Sequence, residues 1–179
     1  MRDISYRVAL GGIVSALCLA AMFFAGIMPA LYLLLPMIAG VLMMIIAVEV
    51  NTGWAMLTYI AVSILSLFIT FDKEAALIFI MLFGHYPVLR FYIDRIRRRF
   101  LRNTVKFLIF NICAVVYFYV TVYIFGLDQM LDEFGEIGKY GSYIMLALCN
   151  VIFVLYDMNL DLCYKIYKVR LMPKFRRKR

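Results

Sequence analysis

Six long apolar runs, separated by short polar or charged breaks, make up almost all of this sequence. Of its 179 residues, 66% are hydrophobic and 17% are charged. A soluble domain has about 45–50% apolar residues and about 25% charged residues. A membrane-crossing helix needs about 20 mostly apolar residues, so we predict an all-α integral membrane protein with six transmembrane helices in one bundle. The predicted helices span residues 8–28, 31–48, 54–71, 75–93, 105–125 and 142–164.

A basic stretch between the fourth and fifth runs fixes the predicted orientation. The stretch from Arg90 to Lys106 contains seven lysines and arginines, counting both ends. Loops rich in basic residues stay on the cytoplasmic side of bacterial-type membranes. If both termini are cytoplasmic, only Lys73 and Lys139 of the 19 lysines and arginines lie outside. We therefore predict a multi-pass protein of the bacterial inner membrane, with a transmembrane domain over 1–164 and a basic cytoplasmic tail over 165–179.

The net charge of +8 follows the helix ends, which favours contact with anionic lipid over binding of nucleic acid. The side chains predicted to contact lipid are Arg95, Arg97, Arg98, Arg99 and Arg102. The four cysteines lie inside apolar runs without the close spacing of a metal or redox motif. No phosphate-binding glycine loop, nucleophile elbow or metalloprotease motif is present, so we predict neither cofactor, metal nor enzymatic activity.

Local signals mark where the predicted helices begin and bend. Asn51 or Thr52 is suited to cap the third helix and Asp72 the fourth, and Pro36 is expected to bend or unwind the start of the second. The connection over 126–141 is either a short interfacial helix or a plain surface segment.

Small residues four apart form a stripe on the first predicted helix. Gly12, Ala16 and Ala20 share one face, and small side chains allow two helices to approach closely in lipid. This stripe is either an internal packing face or a docking face for another membrane protein. The sequence does not distinguish the two.

His85 is the single histidine, and it lies near the middle of the fourth predicted helix. Pro87 has no N–H, so the carbonyl around Phe83 loses its usual donor. An ionisable group at this depth is a functional candidate, although a histidine that satisfies a kinked backbone is an equal alternative. We predict His85 as a ligand-binding residue on the first interpretation.

Two further polar side chains are predicted in the outer half of the bundle. Tyr117 either belongs to an interfacial aromatic belt or presents its hydroxyl to a cavity, together with Thr121 four residues later. Asn150 needs a hydrogen-bond partner from another helix, from water or from a ligand, and Asn111 is predicted to bridge helices. We predict Tyr117 and Asn150, with His85, as the ligand site.

Asp157 and Asp161 lie on one face of the last predicted helix, near its cytoplasmic end. They are placed to pair with arginines of the 95–102 loop or with Lys165. An intramembrane aspartyl dyad is disfavoured because both carboxylates come from one helix, whereas a dyad is usually assembled from two chain segments. We therefore predict a structural role for them.

The segment Ala16-Leu17-Cys18-Leu19-Ala20 resembles the alanine-x-x-x-alanine motif in the first helix of the substrate-binding (S) components of energy-coupling-factor vitamin transporters. Those proteins also have six helices, about this length and cytoplasmic termini. The resemblance implies that Ala16 and Ala20 contact a transmembrane coupling subunit, that two ATPases drive transport, and that the substrate lies in the outer half. The first outer loop of this chain, at 27–30, is shorter than that of the family.

Two functions follow as expectations. The first is a subunit that binds a small, vitamin-like solute for an energy-coupling-factor transporter. The second is a scaffold or assembly protein, similar to MreD-like proteins, which binds other membrane proteins and no small molecule.

Overall fold

A computed structural model describes residues 4–121 and 141–171 of the chain, and within these ranges all regular structure is helical. The six helices are α1 (Ile4–Ile27), α2 (Leu34–Glu49), α3 (Thr52–Ile69), α4 (Lys73–Ile93), α5 (Arg99–Tyr119) and α6 (Gly141–Ile166). All except the shorter α2 are long and apolar enough to cross a membrane. The predicted all-α, multi-helix architecture is confirmed for the described residues, and the predicted interfacial helix within 126–141 lies outside them.

The predicted caps are present at two helix starts. The Asn51 side chain accepts a hydrogen bond from the Trp54 N–H at 2.7 Å, and Asp72 accepts from the Glu74 N–H at 2.9 Å. Residues 29–31 form a short 3₁₀ turn, and α2 begins only at Leu34. Pro36 therefore lies in the first turn of α2, where its missing N–H breaks no helical bond.

The basic loop is shorter than predicted. Helix α4 ends at Ile93 and α5 begins at Arg99, so Arg99 and Arg102 lie on the first turns of a helix rather than in a loop. Arg99 is exposed, and the Arg102 Nε lies 3.8 Å from Asp94 Oδ1, so both charges lie where the helix begins and not within its apolar stretch. We call the end of the bundle that contains this turn the basic end.

Helix α4 lies at the centre of the bundle. In α4, two-thirds of an 18-residue apolar stretch is buried inside the bundle. In each of the other four candidate membrane spans, less than a third of the corresponding stretch is buried. One core cluster, with Met22, Met43 and Phe79, lies where α1, α2, α3 and α4 meet. A second, more aromatic cluster joins α4 to α5 and α6, with the rings of Phe110 and Phe153 stacked at 4.3 Å.

The backbone of α4 is broken in its middle. An α-helical segment over Lys73–Ile78 gives way to a π-helical turn over Phe79–Phe83, and α-helix resumes over Tyr86–Ile93. The Gly84 N–H donates to the Phe79 carbonyl at 2.7 Å, a bond across five residues. Pro87 supplies no N–H to the Phe83 carbonyl, so α4 cannot satisfy its own backbone here.

Tyrosines from two other helices supply the missing donors. The Tyr156 hydroxyl of α6 donates to the Phe83 carbonyl at 3.1 Å, and the Tyr59 hydroxyl of α3 donates to the Ile80 carbonyl at 2.7 Å. Gly40 of α2 makes room for the first of these bonds, because a Cβ there would lie 2.5 Å from the Phe83 oxygen and closer still to the Tyr156 hydroxyl. The break in α4 is thus the point at which α2, α3 and α6 converge.

We predict that Gly40→Ala destabilises the protein by about 1–3 kcal/mol, since the added methyl group overpacks the site and displaces Tyr156 from the Phe83 carbonyl. The matched control is Gly12→Ala in α1, where a Cβ would meet nothing within 4 Å. The control should be neutral or stabilising by up to about 1 kcal/mol, because alanine favours helix over glycine. Unfolding in detergent micelles measures both, and equal effects would contradict the assignment.

Candidate functional site

Charged side chains from three helices meet at the basic end. Arg90 lies in the last turn of α4 and Asp94 is its C-cap, Lys106 lies on α5, and Asp157 and Asp161 lie on α6. We call these five residues, with Tyr86, the charged cluster. The Arg90 Nε lies 3.2 Å from Asp94 Oδ2 and 3.4 Å from Asp157 Oδ1.

Asp157 is the centre of the charged cluster. Its Oδ2 lies 3.1 Å from the Lys106 Nζ, and its Oδ1 accepts a hydrogen bond from the Tyr86 hydroxyl at 2.6 Å. The backbone carbonyl of Asp157 accepts from Arg90 Nη1 at 3.1 Å. Asp161 pairs with Arg90 Nη2, and Lys106 also lies 3.2 Å from Asp94 Oδ1.

The two cations of the charged cluster are almost completely buried. The side chains of Arg90 and Lys106 are 10% and 6% exposed, whereas that of Asp161 is 55% exposed. Buried ions are stable only when paired and hydrogen-bonded, and removing one partner is far more costly than removing the whole pair. The cluster therefore specifies how α4, α5 and α6 fit together.

Asp157 and Asp161 pair with cations, as predicted, but these cations are not the ones that were named. They pair with Arg90 and Lys106, which lie inside the basic stretch, and not with the 95–102 loop or Lys165. Arg95, Arg97, Arg98 and Arg99 are exposed at the basic end. Arg90 and Lys106 reach the aspartates because both lie on buried helix faces, which a count of charges along the sequence does not reveal.

A cavity of about 240 Å³ adjoins the charged cluster. Its walls combine apolar and charged side chains from α2, α4 and α6, which are Met44, Pro87, Arg90, Phe91, Asp94, Leu160, Asp161 and Tyr164. The rings of Phe91 and Tyr164 meet edge to face at 6.0 Å. Of the three predicted ligand-binding residues, Tyr117 lies at the opposite end of the bundle from this cavity, and none of the three lines it.

His85 lies inside the break of α4. Its Nδ1 is 3.3 Å from the Ile80 carbonyl, its Nε2 is 3.6 Å from the Cys113 Sγ of α5, and its ring meets the Tyr59 ring at 6.1 Å. An Nδ1–H tautomer donates to Ile80 and leaves Nε2 as an acceptor. These contacts match the interpretation of a histidine that satisfies a kinked backbone.

Asn150 and Asn111 form a reciprocal pair between α6 and α5. Each side-chain amide donates to the carbonyl oxygen of the other at 3.0 Å. Each also donates to a backbone carbonyl four residues earlier in its own helix at 2.8 Å. The predicted helix-bridging role of Asn111 is confirmed, and Asn150 is its partner.

Tyr117 lies at the end of the bundle away from the charged cluster. Its hydroxyl donates to Glu74 Oε1 of α4 at 3.2 Å, and Thr121, one turn further along, is fully buried. Glu74 was not among the residues predicted for the site. The hydrogen bonds among the described residues connect none of His85, Tyr117 and Asn150 to one another, so the predicted shared ligand site stays a prediction.

The small-residue stripe of α1 faces outward. Gly12, Ala16 and Ala20 are exposed, whereas Val14, Cys18 and other residues on the opposite face are buried in the core. The stripe therefore does not pack against the described helices of this bundle.

Among the described residues, no group of three or more His, Cys, Asp or Glu side chains is arranged to hold a metal ion. Comparison of the chain with protein-family models, with curated proteins and with solved structures gives no match. The function proposed below is therefore based on the contacts within the protein.

We predict that Asp157→Asn destabilises the protein by about 3 kcal/mol, because it removes the carboxylate that Arg90 and Lys106 share. Asp161→Asn should have an effect of about 1 kcal/mol or less, since that side chain is 55% exposed. Adding Lys106→Met to Asp157→Asn should recover part of the loss, because it removes the unpaired cation. Unfolding in micelles compares the three variants, and equal losses for the two single variants would contradict the central role of Asp157.

Proposed function

We propose that this chain is a membrane subunit that docks onto another membrane protein through α1 and binds a small solute, as S components of energy-coupling-factor transporters do. The observation that carries the proposal is the outward position of Gly12, Ala16 and Ala20. Lipid offers no hydrophobic driving force between helices, so close approach of backbones stabilises their association. A stripe of small residues that the described helices leave exposed suits such an approach by a partner helix.

The proposed orientation places the basic end in the cytoplasm of a bacterial cell. The exposed Arg95, Arg97, Arg98 and Arg99, with the partly exposed Arg102, then contact the anionic lipid of the inner leaflet. The partner for α1 in this proposal is a transmembrane coupling subunit, with two ATPases on the cytoplasmic side.

The proposed solute site lies at the opposite end, around Tyr117. The hydrogen bond from Tyr117 to Glu74 and the buried Thr121 support a polar site there, next to the segment that joins α5 to α6. His85 and Asn150 remain proposed contributors, and their present partners would have to be exchanged for the solute.

A scaffold protein without a small-molecule ligand is the second candidate. The observation that favours it is the reciprocal Asn111–Asn150 pair, together with the contacts of His85 inside the break. Polar side chains that satisfy each other serve packing without any ligand. The outward stripe on α1 suits both candidates.

We predict that Ala16→Trp abolishes co-purification with an energy-coupling-factor module, the coupling subunit and ATPases of the same genome, expressed together with this chain. The indole would hold the two helices apart. The matched control is Ala147→Trp on α6, which also replaces an exposed alanine and should leave co-purification unchanged. Unchanged association of the Ala16→Trp variant would contradict docking through this stripe.

We predict that native mass spectrometry of the gently purified protein reveals a retained small molecule, and that Tyr117→Phe loses it, because the hydroxyl next to Glu74 is removed. Tyr119→Phe is the control, since that side chain is 57% exposed and should retain the molecule. A wild-type protein that carries no small molecule would contradict the carrier and favour the scaffold.

A further inference from the structure

The cavity beside the charged cluster has no role in either proposed function. Its volume of about 240 Å³ is below the range of roughly 300–1,000 Å³ that is typical of pockets for whole drug-sized molecules. It is closer to the size of a small polar group. It opens at the basic end, where apolar helices reach the polar boundary.

The polar wall of the cavity offers carboxylate acceptors. Arg90 uses three of its five N–H groups for Asp94, the backbone of Asp157 and Asp161. Asp161 is 55% exposed and uses Oδ1 for Arg90. Among the described residues, no donor contacts its Oδ2. A group that fits this wall must therefore donate hydrogen bonds, and an ammonium group does so with the complementary charge.

The rim of the cavity has the opposite charge. The Lys168 ammonium lies 5.8 Å from the centre of the Tyr164 ring, which lines the cavity. A carboxylate inside a basic rim is complementary to a group whose positive end enters first and whose negative end stays outside.

The apolar wall indicates how such a group is attached. Met44, Phe91 and Leu160 line the same cavity, and they suit the short hydrocarbon link between an ammonium and a phosphate. With the basic end at one membrane surface, as proposed above, the cavity lies at the end of the candidate membrane spans, where a bilayer presents phospholipid headgroups.

We propose that this cavity binds phosphoethanolamine, with the ammonium on Asp161 and the phosphate at Lys168, and that the group is carried by phosphatidylethanolamine. The proposal is independent of the docking and solute functions above. It makes the lipid a specific ligand of α4 and α6, in addition to the general contact of the arginines with anionic lipid.

The test reconstitutes the full-length protein in vesicles of equal parts phosphatidylethanolamine, phosphatidylcholine and phosphatidylglycerol, and counts retained lipids by native mass spectrometry after extraction. We expect about tenfold enrichment of phosphatidylethanolamine over phosphatidylcholine, because choline has the same charge but no N–H donors. Equal retention of these two lipids overturns the proposal. Enrichment of phosphatidylglycerol alone also overturns it, since that result needs only the exposed arginines.

Two variants locate the effect. Asp161→Asn removes the charged acceptor, and Met44→Phe fills the cavity without touching a charge; both should abolish the enrichment. The control Asp72→Asn makes the same change at the other end of the bundle and keeps an N-capping side chain, so it should retain the enrichment. Enrichment that persists in both cavity variants overturns the site.

A final arm distinguishes the source of the group. Soluble O-phosphoethanolamine is added to the delipidated protein at increasing concentration. Selective retention of the lipid without binding of the soluble compound supports the lipid as ligand. Binding of the soluble compound without lipid enrichment overturns the assignment of the lipid as ligand, and it shows that the site binds a free solute.

Discussion

The break in α4 is the constraint on which the bundle depends. At the break, the backbone of α4 leaves the Ile80 and Phe83 carbonyls without a helical donor, and α4 is the most buried of the candidate membrane spans, so water cannot replace the missing donors. Each unsatisfied carbonyl in such an interior would cost about 1–3 kcal/mol. The hydroxyls of Tyr156 and Tyr59 remove that cost, and they fix α6 and α3 against α4.

The charged cluster follows from the same arrangement. Tyr156 and Asp157 are consecutive residues of α6; the first holds the Phe83 carbonyl and the second holds Arg90, two turns further along α4. Lys106 brings α5 to the same carboxylate. A single position of α6 along α4 therefore provides both the donor for the Phe83 carbonyl and the carboxylate for Arg90. A shift of α6 relative to α4 would leave these polar groups unpaired. In the proposed function, α1 is the surface for a partner and the basic end is the surface for lipid.

Local features of the structure were predictable and long-range ones were not. The apolar runs, the Asn51 and Asp72 caps and the orphaned Phe83 carbonyl all follow from chemistry within a few residues. Its donor, Tyr156, is 73 residues away, and no local pattern selects it among 13 tyrosines. Likewise, spacing put Gly12, Ala16 and Ala20 on one face of α1, but only packing decides that this face points outward. The partners of Asp157 and Asn150 could not be predicted either, because they also lie far away along the sequence.

A double-mutant cycle between Pro87 and Tyr156 tests the central claim most directly. Pro87→Ala returns an N–H to the helix, so the Phe83 carbonyl regains a backbone donor. Tyr156→Phe should then destabilise the wild-type background by about 1–3 kcal/mol and the Pro87→Ala background by clearly less, as measured by unfolding in micelles. An equal loss in both backgrounds would show that the two residues are uncoupled, and it would contradict the account of the break.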